Sequence, residues 1–251
     1  MSKTGVKHQG PSCAKPVWAC VELPVTDYMQ ALRLQQNLVS ARASRQLNRD
    51  IVLILQHLPV FTLGNQGGAE HLRVSENFLK ARGISLVKTD RGGSITYHGP
   101  GQLVAYPIVD LALNGWHVAD FVHALETVMI STACQWGLPA RRDGLGRGVW
   151  VQDKKIGSVG LRVRRKVSFH GLALNVDLDL EPFDWIAPCG LSGVQMTSIA
   201  GQTRGPVSMR EAAQSAKAHF SSVFGVRLET ISASYLNSYL KETSHAEASA
   251  G

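Results

Sequence analysis

Residues 91–107 read Arg-Gly-Gly-Ser-Ile-Thr-Tyr-His-Gly-Pro-Gly-Gln-Leu-Val-Ala-Tyr-Pro, a β-prone run broken by four glycines and Pro100. Backbone in such a stretch is exposed and can approach a ligand closely, with positive φ open to glycine. Arg91, Thr96, Tyr97, His98 and Gln102 place polar groups around it. Taken alone, the stretch fits a phosphate-cradling loop, the mouth of an acyl tunnel or a structural double bend. It matches neither Gly-x-x-x-x-Gly-Lys-Ser/Thr nor Gly-x-Gly-x-x-Gly, so its glycines do not establish nucleotide binding.

Outward from this stretch, strands and helices mix. Strands are expected at Ser94–Tyr97 and Leu103–Leu111, and further on at Val149–Val151, Lys155–Arg164 and Ser168–Leu180, the last with apolar alternation at Leu172, Leu174, Val176 and Leu178. Upstream, Ile51–Gln56 and Ile84–Lys88 read as strands covered on both faces. Between those two, Ser75–Arg82 reads as a short helix ended by Gly83. Longer helices are expected from a Thr26 cap through Met29, Leu32 and Val39, over Val118–Trp136, and over Ser208–Phe224 ahead of Gly225. With no linker and no internal repeat, this order predicts one α+β domain with a mixed sheet and flanking helices over residues 17–240. Residues 1–16 and 241–251, which lack periodicity, are expected to be flexible tails.

The 251 residues are 44% apolar, enough to bury a large core. No run approaches the roughly 18 apolar residues of a spanning helix, and Met1–Ala14 has no apolar signal core, so a cytoplasmic protein is expected. Cys13, Cys20, Cys134 and Cys189 form no Cys-x-x-Cys pair, which argues against a disulfide framework and a cysteine zinc site. The charge of +7 is concentrated. Nine basic residues (Arg141, Arg142, Arg147, Lys154, Lys155, Arg162, Arg164, Arg165 and Lys166) face only Asp143 and Asp153 within residues 141–166. Such a window either steers an acidic partner, nucleic acid or protein, or is a solvated hairpin. Aromatic residues are not interleaved with the basic run Arg162–Lys166 as a base-stacking platform requires.

Three further residues could carry chemistry. Lys155 opens a strand amid apolar residues; facing a pocket it could act as a base or stabilise an anion, and otherwise it is a surface lysine beside Lys154. His170 precedes Gly171, with Asn175 beyond, and could equally be a hydrogen-bonded structural histidine. Cys189 sits between Pro188 and Gly190 in a turn, whereas Cys134 falls inside a helix and is expected in the core. A reactive cysteine needs a cationic or basic partner to become a thiolate, and Lys155 or a histidine would serve.

Taken together and in this order, the stretches resemble the lipoyl(octanoyl) transferases, the LipB family of lipoate biosynthesis, from about Thr62 to Ile199. The family signature stands intact at Arg91–Gln102. Its lysine-isoleucine motif falls on Lys155-Ile156, its histidine-glycine-leucine-alanine-leucine-asparagine motif on His170–Asn175, and its proline-cysteine-glycine on Pro188–Gly190. Gly157 stands where the family usually has alanine, a change expected to loosen the loop there while leaving the reactive groups in place.

The resemblance implies the fold of the catalytic domain of biotin and lipoate protein ligases. It implies transfer of octanoyl from octanoyl-acyl carrier protein, through a thioester on Cys189 with Lys155 as its partner, to a lysine of lipoyl domains. The acceptors would be the lipoyl domains of 2-oxoacid dehydrogenases and the glycine cleavage H protein. The implied substrate shell is Arg91, Gly92, Gly93, Ser94, Ile95, Thr96, Tyr97 and His98, with Ser158, Val159, Gly160, Gly171, Leu172 and Ala173. No metal or cofactor, nucleic acid or membrane is implied, and a monomer is expected. The alternative is an ATP-dependent lipoate or biotin protein ligase using the same loop and lysine.

Overall fold

A computed structural model describes residues 14–143, 148–187, 194–236, 238 and 240. Residues 1–13 of the expected N-terminal tail (1–16), the whole expected C-terminal tail (241–251), Arg147 and Pro188-Cys189-Gly190 lie outside the described residues. The chain runs β1 (Val17–Thr26), α1 (Tyr28–Ala43), β2 (Ile51–His57), β3 (Val60–Leu63), α2 (Glu76–Ala81), β4 (Ser85–Lys88), β5 (Thr96–His98), β6 (Gln102–Ile108), α3 (Val118–Cys134), β7 (Ala140–Arg141), β8 (Val149–Val151), β9 (Lys154–Arg164), β10 (Val167–Asn175), α4 (Glu181–Asp184), β11 (Gln195–Met196), α5 (Ile199–Gln202), α6 (Met209–Val223) and β12 (Arg227–Thr230).

The large sheet has the order β12-β1-β2-β6-β10-β9-β8-β7, with β11 added alongside β9, and β4-β3-β5 form a second, smaller sheet. β1 pairs in parallel with β2 and β12, whereas β2-β6-β10-β9-β8 is antiparallel throughout. The mixed sheet and single domain agree with the pattern read from the sequence.

β2 shows why its sequence is uniformly apolar. Val52 and Ile54 face one core with Phe121, Leu125, Val128 and Met129 of α3 and Ala212, Ala216 and Phe220 of α6. Ile51, Leu53 and Leu55 face the other with Ala31, Leu38 and Val39 of α1. Alternate side chains thus enter opposite cores, so both sets must be apolar. All nine residues of β10 are buried for the same reason, which overrides the one-faced alternation expected there, and the strand stops at Asn175 rather than Leu180.

Some expectations need correction. The cap of α1 is Asp27, whose side chain accepts the Gln30 N–H at 3.0 Å, because a carboxylate one residue nearer the helix reaches the free amide. Met29 is 38% exposed; the buried stripe uses Tyr28 and Leu38. β4 is an edge strand with Ser85 and Lys88 exposed, not covered on both faces. Cys134 is exposed at the last turn of α3, and Cys20 is the buried cysteine. β1 escapes a periodicity reading because Pro24 falls where its register shifts, between Glu22 and Val25.

The β9–β10 hairpin turns on two residues, Arg165 and Lys166, since Arg164 pairs with Val167. Both have positive φ, 51° and 70°. Two-residue hairpins favour this geometry, but normally place Asn-Gly there.

Candidate active site

The β9–β10 ladder brings two of the expected segments into direct register. Ser158 lies opposite Ala173, Val159 opposite Leu172, Gly160 opposite Gly171, and Leu161 opposite His170. The 91–98 segment crosses this ladder, with the Gly92 N–H donating to the Leu161 carbonyl at 3.1 Å. A cavity of about 420 Å³ opens between them, lined by Arg91–Thr96, His98, Lys155, Ser158–Gly160 and Gly171–Ala173. Three of the four separated motifs therefore share one cavity. Its remaining wall comes from Tyr28, Gln66, Tyr106, Val118, Val122, Trp150, Leu161, His170, Phe183, Val194 and Met196. Ile95, Val159, Leu161, Leu172, Phe183 and the two α3 valines give it the apolar surface an aliphatic chain needs.

Lys155 is the second residue of β9, half-buried, held between β8 and β11. Its partner in β8 is Trp150 and its partner in β11 is Met196; the Thr197 N–H donates to its carbonyl at 2.8 Å. Its Nζ lies 5.7 Å from the centre of the Trp150 ring, within reach of a cation–π contact. Trp150 is buried, and its indole N–H has no partner among the described residues. Gly157, two residues on, lies within strand β9 and not in a loop. A Cβ there would lie 2.6 Å from the Met129 sulfur, so the methionine fills the space an alanine methyl would take.

Arg91 is buried and folds back beneath the glycine pair. Its Nε and Nη2 donate to the Thr62 hydroxyl at 2.9 and 2.8 Å, and its Nη1 to the Gly92 carbonyl at 3.0 Å. It ties the loop to β3, so its guanidinium is part of the loop's frame.

A group of buried histidines and tyrosines stands around the His170 side of the cavity. The His57 Nδ1–H donates to the Thr26 carbonyl at 2.9 Å, leaving Nε2 to accept from the Tyr106 hydroxyl at 2.7 Å. The His98 Nδ1–H donates to Gln102 at 2.6 Å, and Gln102 in turn donates to Asn175 at 2.9 Å. The His170 Nε2–H reaches Asp90 at 3.1 Å. Burial pushes the His57 pKa down to about 4, against a weaker opposing pull from the Thr26 carbonyl. His98 is driven well below the usual histidine range by burial, aided by His57 and Arg91. Burial also lowers His170, although Asp90 opposes it. All three imidazoles are neutral at pH 7.

His170 is also strained. Its φ is +55° in mid-strand, its N–H donates to the Gln35 side chain at 2.7 Å, and its Nδ1 has no partner among the described residues. A buried histidine in this conformation lining the cavity is more than a satisfied core residue. Tyr97 departs the other way. Its ring packs on Phe61 and Phe183, 5.1 and 5.8 Å between centres, in the core of the small sheet, and does not line the cavity. Strand alternation explains this, since its neighbours Thr96 and His98 face the cavity.

Tyr28, Tyr106 and Trp150 were not legible as lining residues, because each reads locally as an ordinary aromatic of a helix or strand. Cys189 lies outside the described residues, but Val194 and Met196 beyond it line the cavity. Among the described residues, no three His, Cys, Asp or Glu side chains gather as a metal site, and no helix is long and apolar enough to cross a membrane.

Residues 27–221 match the lipoyl protein ligase A/B catalytic domain family. The chain is 48% identical to an octanoyltransferase of Desulfotalea psychrophila over 72% of this chain and 82% of that one. It is 43% identical to an octanoyltransferase of Syntrophobacter fumaroxidans over 81% and 89%. In structure it is similar to a bipartite lipoate protein ligase of Thermoplasma acidophilum, with a TM-score of 0.69 at 18% identity, covering 90% of this chain and 91% of that one. A lipoate-protein ligase A bound with ATP gives 0.69 at 16% identity, covering 91% and 93%. At these identities the structural likeness concerns the fold.

Proposed function

The chain belongs to the octanoyltransferases of the lipoyl protein ligase A/B catalytic domain family, and from that membership we propose a two-step acyl transfer through Cys189, assisted by Lys155. The protein is an acyltransferase of protein lipoylation. In the first step, the Cys189 thiolate attacks the thioester carbonyl of octanoyl-acyl carrier protein. The tetrahedral oxyanion collapses, the carrier's phosphopantetheine thiol leaves, and octanoyl remains on sulfur. In the second, the ε-amine of a lipoyl-domain lysine attacks that thioester, forming the amide and releasing Cys189. Lys155 takes the cysteine proton, returns it to the departing thiol and receives the proton of the attacking amine. Backbone amides near Cys189 or Lys155 would face the oxyanion. Neither step needs a nucleotide, because the donor is already a thioester.

One observation carries this reading. Lys155 lines the same largely apolar cavity as the 91–98, 158–160 and 171–173 segments, and Val194 and Met196, which follow Cys189 in sequence, line it as well. The half-buried Lys154 and the basic residues of β9 supply positive charge for the acidic surfaces of the carrier and lipoyl domains, and the protein acts as a monomer in the cytoplasm. Mass spectrometry after mixing with octanoyl-acyl carrier protein tests the mechanism. A single octanoyl adduct that disappears in Cys189→Ser is expected. Octanoyl on another residue, or an acylated product only when ATP is added, would overturn it in favour of a ligase.

A further inference from the structure

We infer that Glu126 is a positioning residue for Lys155, acting through the backbone of Gly148. The inference rests on the reading of Lys155 as the base. Glu126 lies on α3 among Leu125, Val128 and Met129 and is only 3% exposed. A carboxylate is costly in such a place unless its oxygens are occupied, and here both are. Oε1 accepts the Gly148 N–H at 2.9 Å, and Oε2 takes the Arg142 Nε at 2.9 Å and the His123 Nδ1 at 3.2 Å. Arg142 is fixed in turn by the His123 carbonyl at 2.6 Å and the Thr127 hydroxyl at 2.5 Å.

The other side of Gly148 meets the lysine. A Cβ on Gly148 would lie 2.6 Å from the Lys155 Cε and 3.2 Å from its Nζ. The glycine backbone is therefore the wall against which the end of the lysine rests. That wall stands where the β8–β9 ladder is irregular, with register shifting between Val149 and Trp150. Regular pairing does not fix Gly148 there, and the Glu126 carboxylate supplies the acceptor. With φ at +129°, the position also suits glycine alone. Moving the wall lets the lysine tip move, and a displacement of about 1 Å near reacting groups costs on the order of a hundredfold in rate.

Four proteins test this: wild type, Glu126→Ala, Glu126→Gln and Lys155→Ala, with the Glu126→Ala/Lys155→Ala double variant as control. Each is assayed for octanoyl transfer and for the pH dependence of Cys189 alkylation by iodoacetamide. Glu126→Ala is expected to lower kcat on the order of tenfold to a hundredfold with little change in KM, and to move the alkylation midpoint toward that of Lys155→Ala. Glu126→Gln keeps an oxygen for the Gly148 N–H and should restore most of both. The double variant should titrate like Lys155→Ala alone. A purely structural role would lower the melting temperature of Glu126→Ala but leave its alkylation midpoint at the wild-type value, and that result overturns the inference. Wild-type turnover and alkylation in Lys155→Ala would instead sink the reading of Lys155 itself.

Discussion

The cavity has two ends set along the same hairpin, and they are built on opposite principles. His170 registers against Leu161, six residues beyond Lys155 on β9 and so about 20 Å away at strand rise. Around His170, neutral imidazoles and phenols are locked to partners in the fold: His57 to Tyr106, His98 to Gln102, and His170 to Asp90. Around Lys155, the described residues include Trp150, the Gly148 backbone and Met196, and the group they surround is an amine. One end is held by hydrogen bonds within the fold, with the His170 Nδ1 left without a partner among the described residues. The other holds the lysine that the proposed mechanism uses for proton transfer. The difference teaches that shape and chemistry are assigned to separate parts of a single pair of strands.

Lys155→Ala gives the largest expected effect. With a small octanoyl thioester as donor, kcat should fall about 10²- to 10⁴-fold while KM changes little; a dominant rise in KM would make Lys155 a binding residue and erase the contrast. Acid should attack the histidine end next. Because folding lowers the His57 pKa from 6.5 to about 4, the unfolded chain binds the proton first as pH falls. Stability is then complete above about 6.5 and is lost through the window down to about 4, by up to about 3 kcal/mol for this group. His98 and His170 act in the same direction. Thermal melts across that range check it, and a flat profile would mean the imidazoles are not held neutral. Tyr106→Phe, which leaves the buried His57 Nε2 without its donor, should cost about 1–3 kcal/mol in denaturant unfolding. The smallest effect concerns delivery. Lys154→Glu, beside the reactive end, should raise KM for the acyl carrier protein about two- to fivefold and lose that effect in high salt, with a lesser change for Arg165→Glu at the hairpin tip. Equal salt effects on the carrier and on a small thioester would show that charge has no part in docking.

The sequence exposed these two ends unequally. Gly92 and Gly93 announce close backbone approach, and Lys155, Gly160 and Gly171 follow from the family motifs. The histidine end was largely hidden. Tyr28 and Tyr106 are separated by 78 positions and meet only because α1 packs over the middle of the sheet. His170 offered the right residue with no sign of its positive φ or of the bond from its N–H to the Gln35 side chain. Tyr97 was grouped with its neighbours although strand alternation sends it to the small-sheet core. In the fold, the long helices and buried strands were legible because their periods are long. β1, β3, β7, β11 and β12 are short or interrupted, and pairing with distant partners decides them. Cys134 misled for a related reason: a helix position is buried or exposed according to its angle, and the last turn of α3 points Cys134 outward.

The Arg165-Lys166 turn has a consequence for engineering. Both residues occupy a backbone region that Asn-Gly enters with little penalty, so this hairpin is less robust than its geometry allows. Exchanging the pair for Asn-Gly is a ready route to a more heat-resistant protein, gaining on the order of 1 kcal/mol. The exchange also removes two positive charges from the tip. Natural selection has left in place a hairpin that a protein engineer would correct at once, and a thermostabilised variant that keeps its turnover with the carrier would reveal whether those charges were the reason.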